Sequence, residues 1–209
     1  MYQNNQKRQC LICFNNINQI PSLYHLIYQP SLCLHCLNQF ELYNKCHIYQ
    51  GYSLTILYHY NDFFRKILFQ YKGQGDYALK DAFFNVFTDF KYKYRKHLVV
   101  IVPSSKEDNQ TRGFNPNEML VKNFSNNIFT GLYKMNDYKQ TKQTNRTLVQ
   151  KIIKIKNGKQ LYNQDILIFD DVITSGNTIT ACIKIVESYH PKSITLLVMA
   201  SNQLNELFL

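Results

Sequence analysis

Residues 166–178 constrain the fold more than any other segment of this chain. Their sequence, ILIFDDVITSGNT, is an apolar run followed by two acids, a Thr/Ser/Gly turn and the start of a helical pattern. Such a run is typical of a strand buried in a parallel sheet. A loop that leads from this kind of strand into a helix presents backbone N–H groups that can bind phosphate. The segment therefore predicts an α/β fold with an anion site at the carboxyl edge of its sheet.

The rest of the chain alternates between apolar strands and amphipathic helices. Strands are predicted at 48–61, 98–102, 128–135, 165–169 and 194–199, and helices at 62–71, 79–90, 117–124 and 175–189. This order predicts a mostly parallel sheet with right-handed crossovers and helices on its faces. The aromatic residues of the first two helices recur at helical spacing, so we expect them in the core rather than on a base-stacking surface.

Two CxxC motifs near the amino terminus predict a metal site. Cys10 and Cys13 form the first pair and Cys33 and Cys36 the second, with nineteen residues between the pairs. Four thiolates at this spacing are typical of structural zinc, which holds together a small module that has little core of its own. A redox-active pair is the alternative. Cys46 has no CxxC partner, and we expect it to be an ordinary loop thiol.

Length and composition favour a small module joined to one larger domain. The chain has 209 residues, 45% of them hydrophobic, which is enough to bury a core without disulfides. We expect a zinc-binding module over residues 1–47 and an α/β domain over residues 48–209. Residues 1–9 lack the apolar core of a secretory signal, and no run of eighteen apolar residues occurs. We therefore expect a cytoplasmic protein without membrane insertion, in which paired cysteines favour metal over a disulfide.

The charge of the chain is strongly basic. Its 24 Lys and Arg residues exceed its 14 Asp and Glu residues, for a formal net charge of +10. One interpretation is a solvated lysine-rich surface. The other is a polyanionic partner, such as nucleic acid or phosphorylated metabolites. Net charge alone does not decide between them.

The acidic turn has the residue types that a sugar phosphate requires. Carboxylates suit sugar hydroxyls, turn N–H and hydroxyl groups suit a phosphate, and a glycine allows close approach of the backbone. The candidate binding residues are Asp170, Asp171, Thr174, Ser175, Gly176, Asn177 and Thr178. The alternative is a strand that ends in Asp-Asp with a Ser/Thr cap and binds nothing. No catalytic residue is assigned.

A second candidate loop follows the apolar run at residues 98–102. It covers residues 104–115 and leaves the sheet at the edge where parallel sheets bind ligands. Ser104, Lys106 and Arg112 are candidates for contacts with pyrophosphate, because Lys and Arg supply positive charge and Arg can bind bidentately. A surface loop with solvated charges is the alternative.

These motifs carry a family resemblance. The acidic turn resembles the phosphoribosyl pyrophosphate (PRPP) loop of type I phosphoribosyltransferases, with Ser175 where Thr is usual. Over almost its full length the chain resembles the ComF family. The motifs that carry this resemblance are, in chain order, the CxxC pairs, Tyr60-Asn61-Asp62, Lys72-Gly73 with Gly75-Asp76, Val102-Pro103, Arg112-Gly113-Phe114-Asn115, Lys142 to Arg146 and the acidic turn. Many members carry further cysteine knuckles, of which only Cys46 remains here.

The resemblance implies a type I phosphoribosyltransferase-like parallel sheet flanked by helices, with a small N-terminal four-cysteine zinc module. ComF proteins are linked in bacteria to DNA uptake during natural transformation, and a related branch is linked to gluconate metabolism. The resemblance thus implies a cytosolic protein that acts on single-stranded DNA with a DNA helicase of the same operon. It does not establish a reaction.

Three functional interpretations remain open, and we favour the first. The chain is an accessory factor in DNA uptake that retains a PRPP-type pocket, with a basic surface for single-stranded DNA. Alternatively, it is an active phosphoribosyltransferase that uses PRPP, Mg²⁺ and an unknown acceptor. In the third interpretation the pocket is vestigial and the chain is a scaffold.

Overall fold

The structure is a computed structural model that describes residues 8–17, 30–135 and 152–203. The strands are β1 (Leu42–Tyr49), β2 (Tyr52–His59), β3 (Leu98–Ile101), β4 (Ile128–Phe129), β5 (Leu132–Lys134), β6 (Ile153–Ile155), β7 (Asp165–Ile173) and β8 (Ser193–Ser201). The α-helices are α1 (Leu34–Gln39), α2 (Asp62–Gly73), α3 (Phe90–Lys93), α4 (Lys106–Arg112), α5 (Pro116–Val121) and α6 (Asn177–Glu187). Two 3₁₀ helices cover Tyr77–Phe84 and Gly158–Leu161.

Six strands form the main sheet, in the order β1-β2-β8-β7-β3-β4. The edge strand β1 pairs with β2 in an antiparallel hairpin, and all other neighbours in this sheet are parallel. Strands β5 and β6 form a separate antiparallel pair. The predicted α/β class, with a mostly parallel sheet and flanking helices, is therefore confirmed.

Each face of the sheet carries its own core, because successive residues of a strand point to opposite faces. Along β7, Leu167 and Phe169 join a cluster rich in aromatic residues, and Ile166 and Ile168 join an aliphatic cluster on the other face. The aromatic residues predicted for the core do lie there, among them Phe64, Phe83 and Phe90. The aliphatic cluster includes the inward face of α6, which consists of Ile179, Cys182, Ile183 and Val186.

Several elements differ from the prediction at their ends. Strand β7 continues past Phe169 to Ile173, because Asp170 and Val172 still pair with Val198 and Ala200 of β8. The acidic residues thus belong to the strand itself. The strand expected at 48–61 is the second half of a hairpin that already begins at Leu42. The predicted boundary between residues 47 and 48 lies within β1, and the two-part division remains a prediction.

The polar segment 104–115 contains a short helix rather than an open loop. Ser105 caps α4 by accepting a hydrogen bond from the Asp108 N–H, and Gly113 ends the helix with a left-handed φ of 84°. The predicted helix at 79–90 is a 3₁₀ helix followed by the short α3. The predicted strand at 128–135 is divided between β4 and β5, which belong to different sheets.

Candidate functional site

The four predicted metal ligands lie together. The Sγ atoms of Cys10, Cys13, Cys33 and Cys36 are all within 4.8 Å of one another, and those of Cys13 and Cys33 are 3.6 Å apart. Tetrahedral zinc with Zn–S bonds of about 2.3 Å requires sulfur–sulfur separations of about 3.8 Å. The donor set and its spacing therefore fit a structural metal ion, as the sequence predicts. His35 is exposed and does not belong to this cluster.

The pKa values of Cys10 and Cys36 are shifted in opposite directions. Burial raises the pKa of Cys10, but hydrogen bonds from the backbone of Cys13, Cys33 and Ile12 outweigh it and lower the pKa to about 6. For Cys36, burial and the neighbouring thiols raise the pKa above its ordinary value. Four close thiolates repel one another, and a bound cation relieves that repulsion.

The cysteine cluster is packed against the aromatic core cluster of the fold. Cys10 and Cys36 are buried in the aromatic core cluster that also contains Phe40 and Tyr58. Cys46, in contrast, lies on β1 rather than in a loop, where its exposed Sγ is 3.0 Å from Ser53 Oγ.

The two acidic residues form the centre of a second site, near the carboxyl end of β7. Asp171 is buried and Asp170 is half-buried. The Asp171 N–H donates to Asp170 Oδ1 at 2.9 Å, and the Val172 N–H donates to Asp171 Oδ1 at 2.9 Å. Both carboxylates are therefore held in place by the backbone of their own strand.

Lys72, in the last turn of α2, forms an ion pair with Asp171 through Nζ and Oδ2. Burial acts to lower the pKa of Lys72, but the attraction of Asp171 outweighs it, so the pKa lies above its ordinary value. Burial likewise acts to raise the pKa of Asp171, and the Lys72 ammonium lowers it below the ordinary value. Asp171 is therefore ionised at neutral pH.

Asp170 is in a different state from its neighbour. Burial raises the pKa of Asp170 to about 8, and the negative charge of Asp171 acts in the same direction. Asn117 of α5 donates through Nδ2 to Asp170 Oδ1 at 3.0 Å and reaches Val102 O at 3.4 Å. The Oδ1 atom of Asn117 is buried and has no hydrogen-bond partner in the described part of the chain. Near pH 7 the acidic pair thus carries about one negative charge, which Lys72 balances.

The turn after β7 is built around Gly176, which precedes α6 with a left-handed φ of 69°. A Cβ atom at this position would lie 2.0 Å from the hydroxyl oxygen of Tyr49. That hydroxyl donates to Gly176 O at 3.3 Å and lies 3.0 Å from Thr180 Oγ1. Two features therefore favour glycine at position 176, the left-handed backbone and the close contact with Tyr49.

The hydroxyl groups of the turn are available to a ligand. Thr174 and Ser175 are exposed, and Asn177 and Thr178 are half-buried at the start of α6. Within residues 8–17, 30–135 and 152–203, no group forms a hydrogen bond with the side chains of Thr174, Ser175 or Thr178, and no side chain caps the N-terminus of α6. The seven predicted residues thus lie at the end of β7, in the turn that follows it and at the start of α6.

The three predicted pyrophosphate residues lie on one segment, in which Ser104 precedes α4, Lys106 begins it and Arg112 ends it, and their side chains have different surroundings. Arg112 donates through Nε to the carbonyl oxygen of Lys72 and through Nη1 to Asn109 Oδ1 at 3.3 Å. Ser104 Oγ donates to the same Asn109 oxygen at 2.8 Å. Ser104 and Arg112 are thus linked to the helix that carries the partner of Asp171. Lys106 lines a different pocket, at the end of β4.

The sequence alone does not assign Lys72, Asn117 or Tyr49 to the site. Lys72 and Asn117 lie 99 and 53 positions from the acids they contact, and no local pattern encodes such distances. Lys72 belongs to the motifs of the family resemblance, which give it no role in the site. The segment from Lys142 to Arg146, which also carries that resemblance, lies outside the described residues.

A protein-family model and two known proteins match the sequence of this chain. The family model described as phosphoribosyl transferase domain matches residues 97–206. Competence protein ComFC of Bacillus subtilis (strain 168) is 33% identical over 128 residues, which are 59% of this chain and 53% of that protein. Competence protein ComFC of Streptococcus pneumoniae (strain ATCC BAA-255 / R6) is 27% identical over 172 residues, 78% of this chain and 77% of that protein. The chain thus spans about half the length of the first relative.

Solved structures with some likeness include a hypoxanthine phosphoribosyltransferase from Staphylococcus aureus. It aligns over 59% of this chain and 63% of its own, with 15% identity and a TM-score of 0.40. An adenine phosphoribosyltransferase aligns over 80% of this chain and 90% of its own, with 11% identity and a TM-score of 0.40. Separately, none of the helices in the described segments has the length and apolar character needed to span a membrane.

Proposed function

Because this chain belongs to the phosphoribosyl transferase domain family, as a ComF-type member, we propose that the acidic turn binds PRPP or a related phosphorylated sugar. The observation that carries the proposal is the juxtaposition of two positioned carboxylates with a turn whose hydroxyl groups have no partner among the described residues. Asp170 and Asp171 are held by Asn117 and Lys72, and the turn around Gly176 is held by Tyr49. A site whose positioning residues are in place before binding loses little entropy when the ligand arrives.

Each part of the ligand has a matching set of residues. The 5′-phosphate is assigned to the backbone and hydroxyl groups of Thr174, Ser175, Gly176, Asn177 and Thr178 at the start of α6. The ribose hydroxyls are assigned to Asp170 and Asp171. The pyrophosphate is assigned to Ser104 and Arg112, although Arg112 already uses Nε and Nη1 within the protein.

Two metal ions belong to the proposal. Zinc is assigned to the four-cysteine cluster, where its role is structural. Mg²⁺ accompanies PRPP, and the oxygen atoms of Asp170 and Asp171 are the ligand type that it prefers; when bound, it offsets the charge of the pyrophosphate.

Calorimetric titration of the zinc-loaded protein with PRPP and Mg²⁺ tests this assignment. We expect saturable binding that Asp171→Asn weakens at least tenfold, because the ribose contact is lost. Thr174→Val changes only an exposed hydroxyl group, so it tests the phosphate contact without risk to the core. Asp165→Asn, at the other end of β7, is the matched control and should bind normally. Unchanged affinity in both Asp171→Asn and Thr174→Val would contradict the assignment.

We propose that the biological role is that of a competence-related accessory factor, which acts in the cytoplasm on single-stranded DNA with a helicase partner. Support comes from the ComFC relatives and from the charge of +10. Residues 91–96 add a local observation, because Lys91, Lys93, Arg95 and Lys96 are all exposed there. Tyr92 is 72% exposed, and the Arg95 guanidinium lies over its ring at 4.6 Å. Exposed cations and aromatic rings are the elements that bind single strands.

Binding of a single-stranded oligonucleotide at several salt concentrations tests this role. We expect affinity that falls steeply with salt and is insensitive to sequence. Arg95→Gln should weaken binding several-fold, because it removes one phosphate contact and the support of Tyr92. Lys184→Gln, an exposed charge change on α6, is the control. Absent binding, or equal loss in both variants, would count against the DNA role.

Catalysis is the second candidate function, and the raised pKa of Asp170 favours it, because groups with perturbed pKa values concentrate at reaction centres. In this reaction the bond from ribose C1 to pyrophosphate breaks, a bond from C1 to the acceptor forms, and the acceptor loses a proton. Pyrophosphate release with nucleobases as trial acceptors measures it, and Asp170→Asn should abolish any release observed. Release that persists in that variant would exclude Asp170 from the reaction.

A further inference from the structure

We propose that a pocket at the carboxyl end of β4 binds a nucleoside monophosphate, separately from the acidic pair of β7. The pocket has a volume of about 440 Å³. Its polar lining consists of Lys106, Thr130, Tyr133, Lys156, Asn157 and Gln160. None of these residues belongs to the acidic turn or contacts Asp170 or Asp171, so the pocket is a second site at the same edge of the sheet.

The charge of the pocket selects an anion. Lys106 approaches it from α4 and Lys156 from the end of β6, and the described lining includes no acidic residue. Neither lysine forms an ion pair with any residue that the structure describes. Two uncompensated ammonium groups at one concave surface attract phosphate, which lysine binds as a point charge.

The size and the remaining lining indicate more than inorganic phosphate. Pockets of about 300–1,000 Å³ are typical of small organic ligands. Tyr133 is 37% exposed and its ring can pack against a base, and Lys156 Nζ lies 5.1 Å from the ring centre. Asn157 and Gln160 each carry an amide that can both donate and accept hydrogen bonds, as the edge of a base requires. Cation, aromatic ring and amides together match a nucleotide.

The backbone around the pocket is tightly constrained. The Lys156 N–H donates to Gly131 O at 2.9 Å. A Cβ atom on Gly131 would lie 2.3 Å from Lys156 O, so the two backbone segments approach too closely here for a residue larger than glycine. The position of Lys156 is therefore set by main-chain packing next to the β5–β6 pair, and the pocket does not depend on side chains alone.

Calorimetric titration of the zinc-loaded full chain with thymidine 5′-monophosphate and adenosine 5′-monophosphate tests the proposal. We expect Lys156→Gln and Lys106→Gln each to weaken binding about fivefold to tenfold, because each removes a charge-assisted contact. Lys159→Gln removes the same charge three residues away without changing the lining, and it should bind like the unaltered protein. Tyr133→Leu should weaken nucleotide binding but leave any binding of inorganic phosphate unchanged.

Four outcomes would overturn the proposal. The first is the absence of nucleotide binding, and the second is equal loss in Lys156→Gln and Lys159→Gln. The third is inorganic phosphate binding as tightly as the nucleotides. The fourth is nucleotide binding that Asp171→Asn abolishes and Lys156→Gln does not, which would place the nucleotide in the acidic turn.

An oligothymidylate titration distinguishes a free mononucleotide from a nucleotide within single-stranded DNA as the ligand of this pocket. Lys156-dependent binding of the mononucleotides identifies a free nucleotide as ligand. Lys156-dependent binding of the oligomer, with no binding of the mononucleotides, would refute that assignment. The inference does not rest on PRPP binding, because PRPP titration of Lys156→Gln reports on the acidic turn independently.

Discussion

Replacement of Lys72 by methionine should destabilise the protein markedly while leaving its packing almost intact. The side chains of Lys72 and Asp171 are 31% and 7% exposed, so the variant leaves a carboxylate buried without its counter-ion. Loss of one partner from a fully buried pair costs about 3–5 kcal/mol, and the partial exposure of Lys72 reduces this to roughly 2–3 kcal/mol. For a protein of this size that corresponds to a fall in Tm of roughly 5–10 °C, measured by thermal unfolding of the zinc-loaded protein.

The dependence on pH separates this electrostatic effect from a packing defect. In the native protein the pKa of Asp171 lies below its ordinary value, so the pair stabilises the fold above about pH 4 and is lost as the pH falls through the folded pKa. Without Lys72, burial acts to raise the pKa of Asp171, so a proton removes the buried charge more readily at about pH 5.5 than at about pH 7.5. The loss in Tm should therefore be larger at the higher pH.

Two further variants complete the experiment. Lys66→Met lies on the exposed side of the same helix and should leave the Tm nearly unchanged. The double variant Lys72→Met with Asp171→Asn removes both charges and should recover part of the lost stability. A loss in Lys72→Met no larger than that in Lys66→Met, or a loss independent of pH, would refute the reasoning.

Three other predictions follow from the same sites. Asp170→Asn should stabilise the protein, because the folded protein holds this carboxyl with a pKa of about 8. The gain in the free energy of unfolding should grow between about pH 4 and pH 8 and then level off. Urea unfolding across that pH range measures it. Gly176→Ala should lower the free energy of unfolding by about 2 kcal/mol or more, because the backbone is left-handed there and the new Cβ atom would meet the Tyr49 hydroxyl. The double variant with Tyr49→Phe should recover part of this loss. Cys36→Ser should lower the zinc content below one ion per chain by elemental analysis, whereas Cys46→Ser should not change it.

The parts of the site that the sequence predicts are those built from short segments. The turn from β7 to α6 and the two CxxC pairs each place their functional groups within a few residues, so local geometry determines them. The sequence pattern ends this strand at Phe169, four residues before the end of β7. The pairing of β7 with β8 continues through Asp170 and Asp171. The residue pattern of one strand does not show how far its partner strand extends, so it does not predict where the pairing ends.

The supporting contacts of the site are long-range and were therefore not predicted. Amphipathic spacing locates α2 but does not show that its last turn meets β7, where Lys72 pairs with Asp171. The positive charge of Arg112 suggested a ligand contact, whereas the structure uses part of its guanidinium to bind the carbonyl oxygen of Lys72. Charge in a sequence indicates what a side chain can bind, and the fold decides how much of it remains for a ligand.

Amide NMR spectra recorded during titration with PRPP and Mg²⁺ test the central assignment most directly, because they report where the ligand binds. We expect the largest shift changes at the N–H groups of residues 174–178 and at the acidic pair, with smaller changes at Lys72 and Arg112. Asp171→Asn should reduce these changes at the same ligand concentration. Shift changes confined to the pocket at the end of β4, or the absence of changes at residues 170–178 at millimolar PRPP, would contradict a PRPP-type site in the acidic turn.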